Sequence, residues 1–217
     1  MDENFRFFAL AYLNDWWQYD RNFVFGLSPC RDRSVRASNL VDAATYYNII
    51  RRFPKGSMPQ VLDLLDTTFG LMGPVTTLSV DLVVTALAGL FNQVFQRGVE
   101  ISSASKFMWI RQQTPVVIFD RRAETCLIRL GAKLNGEYPT YRAEWTKQFN
   151  QRQHTIADAC AELVRVKDFS PRDETEERLI STTSSRWFHE RVFDKFLWWN
   201  GQLSGNLASP SQIDLSD

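Results

Sequence analysis

The stretch LSVDLVVTALAGLFNQVF, residues 78 to 95, most narrows what this chain can become. A membrane-crossing helix needs about 20 largely apolar residues. This run is shorter and is interrupted by Asp81 and Asn92, so it predicts a helix buried in a protein core. Such a helix must be wrapped by others, and the rest of the chain supplies them. FRFFALAYLNDWWQYD opens at residue 5 with apolar residues at helical spacing. CRDRSVR reads as a basic loop. SNLVDAATYYNIIRRF predicts a helix capped by Ser38 or Asn39 and stopped by Pro54. Further helices are predicted from Met58 to Gly70, over 104–113 before Pro115, over 121–134, over 140–167 and from Ser184 to Gly201. VVIF, residues 116 to 119, is β-branched and extended, but too isolated to found a sheet. The fold class expected is therefore all-α: a multi-helical domain over 1–201, with room for two lobes and a cleft between them. Residues 202–217 lack apolar periodicity and are expected to form a loose tail.

Composition excludes several functions. Cys30, Cys126 and Cys160 are far apart with no C-x-x-C pair, so neither a zinc knuckle nor a four-cysteine iron–sulfur site is expected. His154 and His189 lack metal-ligand spacing. No metal and no cofactor are expected. Phosphate-binding and nucleophile-elbow glycine motifs are missing from the sequence. The opening MDENFRFFALAYL lacks the basic start and small-residue cleavage site of a secretory leader. A cytoplasmic, monomeric protein without a membrane partner is the expectation.

Formal net charge is zero, yet it is unevenly spread. Residues 97 to 153 carry ten Lys and Arg against five Asp and Glu, whereas residues 154 to 217 carry seven against eleven. A basic middle beside an acidic end is compatible with a localised phosphate-binding face.

Within that basic middle lies SSASKFMWIRQQTPVVIFDRR, residues 102 to 122. Asp120 follows an apolar run and opens a helix, where a carboxylate caps the first amides. A carboxylate held rigidly there can also offset a developing positive charge or orient a water. Arg121 and Arg122 stand ready to grip phosphate beside it. Lys106 lies near a helix start, where the dipole disfavours its charged form, and only a neutral amine attacks. Ser102, Ser103 and Ser105 leave backbone amides open to a phosphate.

The order of turn, lysine-bearing helix, P-V-V-I-F-D-R-R-A and new helix resembles the helix-hairpin-helix DNA glycosylase superfamily, in particular its reduced prokaryotic branch with the 8-oxoguanine-glycosylase fold. The resemblance covers residues 98 to 130. Asp120 matches the family's catalytic aspartate, and Lys106 matches in order the lysine of bifunctional members. GVEISSAS stands where the family has a glycine-rich hairpin, and the Lys106–Asp120 interval is shorter than the family's. The resemblance implies hydrolysis of the N-glycosidic bond of a damaged or modified base flipped out of double-stranded DNA. Strand cleavage through Lys106 is an option it allows, and defence against phage with modified DNA is one setting. A base needs aromatic walls, and Trp16, Trp17 and Trp109 are the candidates. Adjacent tryptophans on a helix point about 100° apart, so one of Trp16 and Trp17 should be exposed or line a cleft. The alternative is a non-catalytic helical module that binds DNA or protein.

Overall fold

The computed structural model describes residues 3–96, 98 and 100–202. It is all-α. The helices are α1 (Phe5–Asp15), α2 (Arg21–Gly26), α3 (Arg33–Tyr46), α4 (Met58–Met72), α5 (Val80–Phe95), α6 (Ile101–Arg111), α7 (Arg121–Arg129), α8 (Tyr138–Ala161), α9 (Glu176–Thr183) and α10 (Arg186–Gln202). A π-helical turn, Trp16–Asp20, joins α1 to α2, and 3₁₀ segments occur at Ile50–Arg52 and Glu162–Phe169. No strand forms among the described residues. The tail from Leu203 onward lies outside them.

Several boundaries differ from expectation; the helix expected over 121–134, for one, ends at Arg129. The basic loop is cut short because α3 begins at Arg33, with the Asp32 carbonyl accepting the Arg36 amide. Asn39 is no cap; its side-chain amide donates to the Phe23 carbonyl at 2.7 Å and ties α3 to α2. The helix then ends at Tyr46, eight residues before Pro54, because Asn48 takes a left-handed backbone (φ 55°). The long helix expected to reach residue 167 stops at Ala161 and tightens into a 3₁₀ segment.

The buried side chains form two cores. The first gathers α3, α4, α5 and α6, with Leu40, Leu65, Leu87, Phe91 and Phe107 among its members. The second gathers α1, α7, α8 and α10, with Phe8, Leu127, Trp145, Phe149 and Phe193. Val24, Phe119 and Trp187 pack against both. The helix from the apolar run has one buried stripe (Val80, Val83, Val84, Leu87, Ala88, Phe91), while Leu82 is 63% exposed. It is thus amphipathic rather than buried all round. Asp81, which interrupted the run, pairs with Arg142 of α8 through bonds of 2.6 and 2.9 Å.

Helices α7 and α10 pack closely because Gly201 is buried against the backbone of Arg122. A Cβ there would overlap the Arg122 carbonyl. Gly201→Ala is therefore expected to cost about 1–3 kcal/mol by overpacking. A lowered urea midpoint measures it, and an unchanged midpoint would show that the two helices part freely.

Candidate functional site

The isolated extended segment explains how Asp120 is held. Without a neighbouring strand, its backbone groups need other partners. The Tyr138 hydroxyl accepts from the Val117 amide at 3.1 Å and donates to the Val117 carbonyl at 2.8 Å. Tyr141 donates to the Ile118 carbonyl, and the Phe119 amide donates to Ser105 Oγ at 3.0 Å. Side chains from α6 and α8 thus fix the chain up to Asp120. There Oδ1 accepts the Arg122 amide at 2.9 Å and caps α7. The other carboxylate oxygen is 3.3 Å from Lys106 Nζ.

Lys106 is 5% exposed. Its amine donates to Ser102 Oγ at 2.9 Å as well as to Asp120, and lies 6.0 Å from the centre of the Tyr47 ring. Burial pushes it below the ordinary lysine range, outweighing the pull of Asp120 in the opposite direction.

Behind this pair runs a buried polar seam between the cores. Asp20 is wholly buried and accepts hydrogen bonds from Tyr12 (3.2 Å) and Tyr47 (2.7 Å). Arg191 of α10 bridges Asp20 at 3.4 Å and Asp194 at 2.9 Å, and its guanidinium lies 4.7 Å from the centre of the Trp109 ring. Asp194 also accepts the Trp145 indole N–H at 2.8 Å. The seam holds two cations, Lys106 and Arg191, against three carboxylates, Asp20, Asp120 and Asp194. Asp120 is the one of the three with substantial side-chain exposure, 26%. A site with one surplus negative charge at its accessible end favours positive charge developing there.

Contacts around Asp120 close into a ring. Arg122, whose amide it caps, lays its guanidinium 4.6 Å from the centre of the Trp198 ring. Lys195 lies 5.7 Å from the same ring and pairs with Asp15. The Tyr46 hydroxyl faces Asp15, and the Tyr46 ring packs edge-on against Tyr47 at 5.1 Å, beside Lys106. Five segments, α1, α3, α6, α7 and α10, meet here.

The residues singled out in the sequence divide accordingly. Asp120, Lys106 and Ser102 come together, and Arg121 and Arg122 are exposed at the start of α7. Ser103 and Ser105 do not face a phosphate. Both are fully buried, Ser103 bonded to Glu100 and Ser105 holding the extended segment, because α6 already begins at Ile101. Trp16 and Trp109 are core residues, 6% and 1% exposed, linked through Trp187 at 4.6 and 6.4 Å. They do not line an open pocket. Trp17 is half-buried, with its indole N–H on Glu174, in a separate hollow of about 470 Å³ beside Phe7, Leu10 and Phe169. A further hollow of about 590 Å³, lined by Val41, Ile50, Phe53 and Lys55, also lies off the seam.

Sequence reasoning missed Arg191 and Asp194. One sign was present: the charges Glu190, Arg191, Asp194 and Lys195 recur at i, i+4 on an otherwise aromatic helix. Cys126 and Cys160 are buried, which pushes their thiols up to about 11 and about 12. Among the described residues no cluster of His, Cys, Asp and Glu fits a metal ion, and no helix is long and apolar enough to cross a membrane.

Burial also raises Glu190 to about 7 and Asp194 to about 6. A carboxyl raised in the fold contributes stability that is complete below its unfolded value and lost as pH rises through the folded one. Glu190→Gln is therefore expected to gain up to about 3 kcal/mol on wild type between pH 4.5 and pH 8. Urea midpoints across that window measure it; a difference constant with pH would mean that Glu190 is not shifted.

No family model, curated protein or solved structure matches the chain.

Proposed function

We propose that this protein is a DNA glycosylase that hydrolyses the N-glycosidic bond of a damaged or modified base flipped out of duplex DNA. The observation that carries the proposal is the meeting of Lys106 and Asp120 at 3.3 Å, at a helix start and at the accessible end of a charged seam. N-glycosidic cleavage develops positive charge on the sugar as the base departs. Asp120 offsets that charge and orients the attacking water. Arg121 and Arg122 contact the flanking phosphates. Lys106, with its amine pushed toward neutrality, attacks the sugar carbon in a bifunctional enzyme and otherwise only steadies Asp120.

A second reading has its own support. An aspartate that caps α7 and pairs with a buried lysine also serves a helical DNA- or protein-binding module without catalysis. The deciding experiment incubates the purified protein with DNA carrying oxidised, alkylated, deaminated and phage-type hypermodified bases, and reads abasic sites by mild alkali. Base release by wild type establishes the enzyme. A borohydride-trapped adduct that Lys106→Ala abolishes establishes the lysine mechanism. Binding without release from any of these DNAs favours the module.

A further inference from the structure

We propose that Tyr19 and Tyr46 form the platform on which the extruded base stacks, in place of the tryptophans; this rests on the glycosylase reading. Their rings stack with centroids 4.4 Å apart and planes 27° from parallel. They are 39% and 36% exposed, whereas Trp16 and Trp109 are sealed in the core. Tyr19 comes from the π-helical turn, whose next residue, Asp20, is wholly buried in the seam. π-Helical turns recur at functional sites. The Tyr47 ring lies 5.1 Å from the Tyr46 ring and 6.0 Å from the Lys106 amine.

Tyr46 reaches, through Asp15, to Lys195 and then to Trp198 and the exposed Arg122. A planar heteroaromatic ring added to this stack joins the same ring of contacts that holds the Lys106–Asp120 pair and two cations, Lys195 and Arg122. A nucleotide has this composition: a flat base, a sugar to be attacked and an anionic backbone. Stacking on aromatic side chains is worth about five- to a hundredfold in affinity per base.

The test titrates the full chain into a single-stranded oligonucleotide containing one 2-aminopurine and follows fluorescence quenching. Wild type and Arg6→Met, which breaks only the exposed pair with Glu162, are expected to quench and bind alike. Tyr46→Ala and Tyr19→Ala should bind at least fivefold more weakly with unchanged circular dichroism. No quenching by wild type, or equal affinity in both folded alanine variants, overturns the platform. The same variants in the base-release assay separate the two ideas. Release that ignores both tyrosines removes the platform and leaves the glycosylase. Tyrosine-dependent quenching by a protein that releases no base supports the platform and counts against the enzyme.

Discussion

Asp120→Asn is expected to lower base release by at least about 10²–10³-fold, the scale on which removing a preorganised electrostatic group acts. Asparagine keeps the cap, since its side-chain oxygen also accepts the Arg122 amide, so α7 persists. It cannot keep the charge. Lys106 then stands buried with Ser102 as its remaining hydrogen-bond partner, at a stability cost of about 1–3 kcal/mol near neutral pH. The sign of the pH dependence follows. Without Asp120 the amine falls further below its ordinary value, so the unfolded chain binds a proton that the fold has released. Stability rises with pH over that interval, and the variant's deficit shrinks as the solution becomes alkaline. Single-turnover release at pH 7 and urea melts at pH 7 and 9.5 measure both effects. Undiminished release would remove Asp120 from the chemistry. A deficit that does not change with pH would mean that Lys106 is not the group left behind.

Arg191→Met should have the largest effect on folding, about 3–5 kcal/mol. Two buried carboxylates, Asp20 and Asp194, lose the cation between them. Against a total stability of about 5–15 kcal/mol, that loss endangers the fold. Burial already raises both carboxyls, and removing the guanidinium raises them further. The deficit should therefore narrow as pH falls toward about 6, over the interval in which Asp194 is already protonated in the variant and still ionised in wild type. Arg6→Met is the control, because the Arg6–Glu162 pair is solvent-exposed on the arginine side and worth under about 1 kcal/mol. Equal melting of the two variants would show that the seam contributes no more than a surface pair.

Much of the fold was legible because it is local. Apolar spacing and the break at Pro115 marked the helices, and the isolation of residues 116–119 ruled out a sheet. Asp120 was legible as a cap for the same reason, since a cap bonds to an amide two residues away. The ends of α3 were not legible. They depend on Asn39 reaching Phe23 and on the left-handed turn at Asn48, and the spacing of apolar residues records neither.

Residue order and spacing alone specify an all-α chain with a lysine and an aspartate flanking an apolar stretch. That they meet depends on packing, because Ser105, Tyr138 and Tyr141 fold the stretch back along α6. Packing also decides which aromatics are open and which acids are buried. Trp16, Trp109 and Asp20 lie inside while Tyr19 and Tyr46 remain outside. Burial is set by what packs against a residue from helices distant in the chain, and residue type carries no record of that packing.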